Sequence, residues 1–359
     1  MQRRSKHLRR VAVLTGGGDA PGLNAVIRAV VKRLHGEKIE VVGFRDGYKG
    51  LVKGEFQILH GQAISGILPR GGTILGTSNR DNPFDFQGED RFEDCVRHVQ
   101  ALGVESIIVI GGEGSLAVAA ECLRRGLSVI GVPKTIDNDL ESTDQTFGFD
   151  TAVTIATEAL DRLHTTAESH HRVMVLEVMG RYAGWIALAS GLAGGADAIL
   201  IPEIPFTLEG VARKINQRRE MGKPFSIVVI AEGARTPEGQ LVVKQTVTGS
   251  HDPVRLGGIG QYVASRLEAL TGLEARVTVL GHVQRGGSPT PFDRILSTRY
   301  GIAAAELAIR KQYGRVVVLR GQSIIDVPIE EVGGKVRPVP VEGELVRAAR
   351  AIGISFGDQ

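Results

Sequence analysis

Residues 104–139 read VESIIVIGGEGSLAVAAECLRRGLSVIGVPKTIDND and carry the clearest signature of the architecture. They begin with an apolar run rich in β-branched residues, Ser106–Ile110, and return to a second such run at Val129–Val132. Continuous runs of this kind are typical of strands buried on both faces, as in a parallel sheet. Between them a glycine loop leads into Ser115–Arg125, which has the spacing of an amphipathic helix. The stretch therefore predicts a strand–helix–strand unit of an α/β protein.

The same alternation recurs along the chain. Further runs that predict strands are Val11–Leu14, Val173–Val178, Ala198–Ile201, Ile227–Ile230, Val277–Leu280 and Val316–Leu319. Further segments with a helical pattern are Gly22–His35, Arg91–Leu102, Ala152–Ala167 and Val341–Ile354. The predicted fold class is α/β, with two doubly wound α/β domains, mainly parallel sheets and the active site in the cleft between them. Residues 233–258 break the alternation, and we expect a surface hairpin or an insertion there.

The composition argues against several classes of protein. The chain has 359 residues, enough for two domains, and its net charge of +3 gives no reason to expect nucleic acid or an anionic membrane as a partner. No apolar stretch approaches the roughly 18 residues of a membrane-spanning helix. The apolar run after the basic start is too short for a signal peptide. Cys95 and Cys122 cannot form a disulfide framework, so we expect buried thiols and a cytoplasmic protein.

Two glycine loops follow predicted strands and suit an anion. Gly16–Gly18 follows the first strand, and Gly111–Ser115 follows the strand that opens the quoted stretch. Glycines in such loops let backbone N–H groups approach a phosphate at a helix N-terminus. Glu113 lies in the second loop and is a candidate Mg²⁺ ligand, because a carboxylate beside a phosphate needs a cation between them. Taken singly, a tight turn, or a carboxylate at a helix N-terminus, explains each loop equally well.

The loop with the most specific chemistry is PKTIDND, residues 133–139. Asp137 and Asp139 follow a buried strand directly. A turn explains the Asn-Asp pair, but it does not explain why Lys134 and Thr135 precede it. A carboxylate that takes a proton from a hydroxyl nucleophile, with hydrogen-bond donors nearby, suits phosphoryl transfer.

The second half of the chain supplies cations at predicted strand ends. They are Arg172, Arg181, Arg276 and Arg285. Any one of them can be a surface ion pair. Four arginines in one half that faces the cleft instead indicate a phosphorylated substrate, since the guanidinium fork matches phosphate oxygens.

Together these segments resemble the phosphofructokinase family over residues 10–325. The motifs that carry the resemblance occur in family order with family spacing: GGDAPGLNAVIR, GGEGS, PKTIDND, EVMGRYAGW and LGHVQRGGSPTPFDR. The bacterial members with GGEG and PKTIDND are the most similar. The resemblance implies transfer of a phosphoryl group to the 1-hydroxyl of fructose 6-phosphate, with Mg²⁺ as cofactor.

The resemblance also implies roles for single residues. Asp137 matches the base that accepts the proton of the 1-hydroxyl, and Arg181 matches the arginine that stabilises charge on the transferred phosphoryl group. Thr135 and Asp139 match neighbours that position the reactants, and Glu113 matches an acidic residue near Mg²⁺. The positions that match nucleotide or phosphoryl contacts are Gly18, Tyr48, Gly114 and Ser115. The family often has arginine where Asn79 stands, and Arg80 is the candidate to replace it with a shift of one residue.

The remaining matches concern the sugar and the assembly. Met179, Gly180 and Glu232 match contacts to the sugar, and His282 and Arg285 match contacts to its phosphate. Arg172 and Arg276 match arginines that reach into the site of a neighbouring subunit, which implies a homo-oligomer with shared active sites, usually a tetramer. The implied domains are 1–147 with about 281–325, which binds the donor, and 148–280 with about 326–359, which binds fructose 6-phosphate.

Two positions bear on the donor, ATP or pyrophosphate. Gly114 favours ATP, because pyrophosphate-using relatives have aspartate there, which would repel the α-phosphate. Lys134 points the other way, since many ATP users have glycine, but we expect a flexible lysine to swing aside. Val118 replaces a glycine found near the nucleotide in many ATP users. We therefore predict ATP as the donor, with pyrophosphate as the alternative.

Two further alternatives are a sugar or lipid kinase on the same fold, and a homologue that binds an effector without catalysis. HVQRGGSP argues against the first, and the intact Asp137, Asp139 and Arg181 argue against the second. The effector site of regulated bacterial relatives is a cluster of cations. Here Arg28, Lys32 and Lys223 fit it, whereas three arginine positions hold Gly61, His164 and Met221. We expect a weak or altered response to phosphoenolpyruvate.

Overall fold

The structure, a computed structural model, describes residues 9–236, 239–241, 243–246 and 254–359. In chain order its strands and helices are β1 (Arg10–Thr15), α1 (Leu23–Gly36), β2 (Glu40–Phe44), α2 (Tyr48–Lys53), β3 (Phe56–Leu59), α3 (Phe92–Ala101), β4 (Val104–Gly111), α4 (Glu113–Arg124), β5 (Val129–Pro133), α5 (Phe149–His170), β6 (Val173–Val178), α6 (Trp185–Ala193), β7 (Ala198–Leu200), α7 (Leu208–Glu220), β8 (Ser226–Ala231), β9 (Val243–Thr246), β10 (Val254–Leu256), α8 (Ile259–Thr271), β11 (Ala275–Val279), α9 (Pro291–Ile309), β12 (Arg315–Arg320), β13 (Ser323–Pro328) and α10 (Glu344–Ala351).

The chain divides into two compact units. The first comprises residues 1–135, 140–148 and 285–335, and the second comprises 136–139, 149–284 and 336–359. Each unit contains a mainly parallel sheet with helices, so the predicted α/β class is confirmed. The strand β13 belongs to the sheet of the first unit, although the sequence placed residues from about 326 in the other domain.

The first unit is built on a seven-stranded sheet in the order β13-β12-β5-β4-β1-β2-β3. Its central pairs are parallel, and β3 and β13 add antiparallel edges. Alternate residues of β1 enter different cores, Val11 and Val13 on one face and Ala12 and Leu14 on the other. Burial on both faces explains why this strand reads as a continuous apolar run.

The second unit has a four-stranded parallel sheet in the order β11-β6-β8-β7. Its core joins residues of β6, β8, α7 and α8. The strands β9 and β10 form an antiparallel pair, which agrees with the hairpin that is one of the two expectations for residues 233–258. Residues 247–253 between them lie outside the described residues.

The sequence located most of the strands and missed three. β2, β3 and β13 are outer or edge strands with weaker apolar runs, and β11 begins and ends earlier than the predicted run Val277–Leu280. Cys95 and Cys122 are buried as predicted, and burial raises the pKa of Cys95 to about 12. No helix in the described parts of the chain is long and apolar enough to cross a bilayer.

Candidate active site

The glycine loop after β1 is held by backbone hydrogen bonds. The N–H of Gly16 donates to the carbonyl oxygen of Ile110 at 2.9 Å, and the N–H of Gly17 donates to that of Ser78 at 3.0 Å. A Cβ at Gly16 would lie 2.7 Å from the hydroxyl oxygen and 3.1 Å from the Cβ of Ser115, so a larger residue here would displace the Ser115 side chain. The loop therefore lies directly against the start of α4.

The helix α4 begins at Glu113, earlier than the predicted Ser115. Gly114 and Ser115 are thus in its first turn, where backbone N–H groups have no intrahelical partner and favour an anion. The Tyr48 hydroxyl donates to the Ser115 carbonyl oxygen at 2.7 Å, and only 4% of Tyr48 is exposed. Burial raises the pKa of Tyr48 well above its ordinary value. Tyr48 supports the start of the helix, and its contact with a nucleotide stays a prediction.

Two cationic side chains lie on the glycine loop. Lys134 is only 4% exposed, and its Nζ donates to the carbonyl oxygen of Gly18. Arg285 donates to the carbonyl oxygen of Asp19 at 3.1 Å, and a Cβ at Gly18 would collide with its guanidinium. Burial and this hydrogen bond hold the Lys134 side chain on the loop, and its movement away from a bound nucleotide stays a prediction. Two positive charges, the loop and the start of α4 together favour a phosphate.

Glu113 is the candidate metal ligand in this region, and it is half-buried at the first position of α4. Among the residues that the structure describes, no group of three or more His, Cys, Asp or Glu side chains is placed to hold a metal ion. Mg²⁺ usually takes one or two protein carboxylates and completes its octahedron with phosphate oxygens and water. A single carboxylate beside a phosphate-binding loop fits that coordination.

The PKTIDND loop leaves β5, and its residues 136–139 group with the second unit. The Thr146 hydroxyl donates to the carbonyl oxygen of Thr135 at 2.7 Å. Asp139 is buried, Asp137 is half-buried, and Asn138 has a φ of 52°. A left-handed conformation is sparsely populated by residues other than glycine, and such positions cluster at functional sites.

The predicted sugar contacts in the second unit follow two adjacent parallel strands, β6 and β8. The N–H of Glu232 donates to the carbonyl oxygen of Val178 at 2.9 Å, and the N–H of Gly233 donates to that of Gly180 at 3.0 Å. Gly180 has a φ of 135°, which requires glycine. Met179, Gly180, Arg181 and Glu232 therefore lie together at the carboxyl edge of this sheet, where parallel sheets bind ligands.

Arg172 and Arg276 lie at the opposite, amino-terminal edge of the same sheet. Arg172 immediately precedes β6, and Arg276 is the second residue of the adjacent β11. Both pair with Glu274, with a distance of 2.5 Å between Arg172 Nε and Glu274 Oε2. The sequence grouped these two arginines with Arg181, whereas the length of β6 separates them.

A family model described as phosphofructokinase matches residues 10–308 of the chain. The chain belongs to the phosphofructokinase family. It is 52% identical to "ATP-dependent 6-phosphofructokinase 2" of Clostridium perfringens, covering 98% of this chain and 99% of the relative. It is 54% identical to "Pyrophosphate--fructose 6-phosphate 1-phosphotransferase" of Streptomyces coelicolor, covering 92% of this chain and 96% of the relative. The Pichia pastoris phosphofructokinase crystal structure in the T-state matches with a TM-score of 0.81 and 32% identity, over 92% of this chain and 36% of that one.

Three further positions of this phosphofructokinase-family chain are exposed. His282 lies in a short 3₁₀ helix, Gly281–Arg285, that follows β11. Asn79 and Arg80 follow Ser78, whose carbonyl oxygen holds the glycine loop. Residues 79–80 therefore follow directly on the residue that holds the loop, and their contact with the transferred phosphate stays a prediction.

The cations of the predicted effector site occupy a cavity in the first unit. Arg28 and Lys32 line a space of about 400 Å³ together with Gly61. A Cβ at Gly61 would have no neighbour within 4 Å, so this position leaves open space. In the second unit, His164 bonds to the Gly194 carbonyl oxygen at 2.7 Å, and Met221 is 78% exposed. The weakened effector site stays a prediction.

Glu274 is a residue that the sequence does not single out. It joins the two predicted phosphate-binding arginines of this family member, and the arginines lower the pKa of its carboxyl, Arg172 above all. An acidic residue two positions before Arg276, at the start of a strand, is the signal that points to it.

Proposed function

We propose that the protein is an ATP-dependent 6-phosphofructokinase, which converts fructose 6-phosphate to fructose 1,6-bisphosphate in glycolysis. The observation that carries the proposal is the site on the first unit, where Lys134 and the start of α4 meet the Gly16–Gly18 loop. This arrangement suits the phosphates of a nucleotide. Family membership and the names of the full-length relatives support the same reaction.

In the proposed reaction, Asp137 accepts the proton of the sugar 1-hydroxyl as that oxygen attacks the γ-phosphorus of ATP. The bond from the γ-phosphorus to its bridging oxygen breaks, and ADP leaves. Arg181 stabilises the charge on the transferred group, and Thr135 and Asp139 orient the reactants. His282 and Arg285 hold the 6-phosphate, and Met179, Gly180 and Glu232 contact the sugar.

Mg²⁺ accompanies the nucleotide in this proposal, and Glu113 holds it directly or through water. When bound, Mg²⁺ neutralises charge on the phosphate oxygens. Gly18, Gly114, Ser115 and Arg80 contact the donor, with Tyr48 beneath the start of α4.

The choice of ATP depends on Gly114. At this position in the first turn of α4, an aspartate carboxylate would stand where the phosphates approach and would repel them. Pyrophosphate is the second candidate donor, because the buried Lys134 cannot simply turn away from the loop, and one similar relative is named for pyrophosphate. We rank ATP first, because glycine at position 114 adds no negative charge in the first turn of α4, and because Lys134 can pair with a phosphate oxygen of either donor.

The active sites are shared between subunits in this proposal. Arg172 and Arg276 lie at the sheet edge opposite Met179–Arg181, so within one second unit they are far from the predicted sugar contacts. A phosphate bound by both sets therefore requires arginines from a neighbouring subunit, and a homotetramer satisfies this requirement.

The test is incubation of the protein with fructose 6-phosphate and MgATP. Phosphorus NMR spectra should then show the formation of fructose 1,6-bisphosphate and ADP. Gly114→Asp should abolish the use of ATP, and Gly114→Ala is the matched control that adds bulk without charge. A protein that binds fructose 6-phosphate and turns over neither donor would instead be a non-catalytic homologue.

A further inference from the structure

A C-terminal segment, residues 336–340, crosses the PKTIDND loop within the second unit. It lies beyond residues 10–308, the part that the family model matches. Arg337 in this segment makes two hydrogen bonds to the loop. Its backbone N–H donates to the carbonyl oxygen of Asp139 at 2.7 Å, and its guanidinium Nη2 donates to that of Asn138 at 2.8 Å.

Arg337 is itself held by Trp185, the first residue of α6. The indole Nε1 donates to the carbonyl oxygen of Arg337 at 3.0 Å. The guanidinium lies 4.7 Å from the centroid of the indole ring, within the range of a cation–π interaction. Trp185 follows Arg181 by four residues, so the segment joins the PKTIDND loop to the loop that carries the predicted charge-stabilising arginine.

Glu203 anchors the segment two residues further on. Its carboxylate accepts from the N–H of Val339 at 2.8 Å and from the N–H of Gly184 at 3.0 Å. Gly184 is the residue before α6. The backbone of the segment is therefore fixed at Arg337 and again two residues after it, and the contact with the indole ring restricts the guanidinium.

We propose that Arg337 is a positioning residue for the Asp137 carboxylate. Its two donors bind the carbonyl oxygens of the two residues that immediately follow Asp137, and one of these, Asn138, is in the left-handed conformation. These two bonds fix the peptide planes that follow Asn138 and Asp139, and so restrict the backbone of the loop from which the Asp137 side chain projects. This inference rests on the proposed function, because it takes Asp137 to be the base.

The test compares Arg337→Met, which keeps the backbone N–H and removes the guanidinium, with Arg350→Met. Arg350 is the matched control, because it also stacks on an aromatic ring, that of Phe356 at 4.8 Å, and pairs with Asp358, away from the loop. We expect Arg337→Met to lower kcat by about 10- to 100-fold. Its KM for fructose 6-phosphate should change by less than about 3-fold. Arg337→Lys should recover part of the loss, and Arg350→Met should lose little activity.

A positioning role predicts non-additivity with the base. In an Asp137→Ser background, Arg337→Met should lower kcat by less than about 3-fold more, because there is no carboxylate left to orient. An equal loss with and without the Asp137 carboxylate would overturn the proposal in favour of a general structural role. Unchanged kcat in Arg337→Met would overturn it as well.

Amide hydrogen exchange tests whether Arg337 holds the loop without depending on a measurement of turnover. Peptides that cover residues 135–140 should exchange faster in Arg337→Met than in the wild type or in Arg350→Met. Emission from Trp185, the only tryptophan in the sequence, should shift in Arg337→Met. If the wild type turns over no donor, the proposed function fails, and exchange alone decides whether Arg337 holds the loop. Equal exchange in all three proteins would refute that.

Discussion

Two separately inactive variants should restore each other's activity if the active sites are shared. Asp137→Ser removes the proposed base, and Arg276→Ala removes a proposed phosphate contact at the far edge of the sheet. Deleting a charge-assisted contact costs about 1.5–3 kcal/mol, or roughly 10- to 100-fold in transition-state stabilisation. Each homo-oligomer should therefore be nearly inactive.

The structure sets the size of the recovery. β6 has six residues, which span about 20 Å at about 3.3 Å per residue. Arg276 pairs beside Met174 at the start of β6, whereas Met179–Arg181 follow its end. One phosphate cannot contact both edges of one sheet, so a site that uses both sets of residues, as proposed, must combine two chains. After complete exchange of an equal mixture, about one quarter of the sites should have both an intact Asp137 and an intact Arg276.

The assay measures turnover of fructose 6-phosphate before and after subunit exchange, with exchange followed by mass spectrometry of differently tagged subunits. A mixture of Arg276→Ala with Arg172→Ala is the control, and it should recover nothing, because both residues come from the same contributing chain. If exchange is complete and the first mixture shows only the sum of the two variants' rates, the sites are self-contained and the reasoning is refuted.

Three further outcomes are expected. Asp137→Ser alone should lower kcat by about 10²–10⁴-fold with fructose 6-phosphate affinity nearly unchanged, and near-normal turnover would remove Asp137 as the base. Saturation curves should respond weakly to phosphoenolpyruvate, because Arg28 and Lys32 are the only arginine and lysine among the described residues that line the cavity of the predicted effector site, and a strongly sigmoidal shift would contradict this. Burial raises the pKa of Glu203, so its contribution to the free energy of unfolding is present at low pH and is lost as the pH rises through that value. In denaturant titrations, the stability of Glu203→Gln relative to the wild type should therefore increase as the pH rises. A difference in unfolding free energy that stays constant with pH would contradict this prediction.

The sequence predicts the central strands well, because burial on both faces leaves a continuous apolar run such as Val11–Leu14. It misses β2, β3 and β13, whose runs are shorter or alternate, as expected at the edge of a sheet. It places the start of β11 too late, because the polar Arg276 interrupts the apolar pattern before Val277.

The sequence predicts which residues belong to the candidate site better than it predicts how they are arranged. Glycine loops and PKTIDND stand out by composition, but the burial of Lys134 depends on contacts with Gly18, distant in the chain. The predicted strand Val173–Val178 already places Arg172 and Arg181 at opposite ends, whereas the position of Arg276 beside Arg172 depends on the pairing of β11 with β6, which spacing alone does not reveal. Arg337 carries no motif, because its role depends on backbone carbonyls that any residue has.

The most direct test of the account is the initial rate with saturating fructose 6-phosphate and Mg²⁺, measured in parallel with ATP and with pyrophosphate. We expect turnover with ATP and little or none with pyrophosphate, because glycine at position 114 places no negative charge in the first turn of α4, where the nucleotide phosphates would approach. Efficient turnover with pyrophosphate and none with ATP would contradict it, and would mean that the buried Lys134 governs the choice of donor.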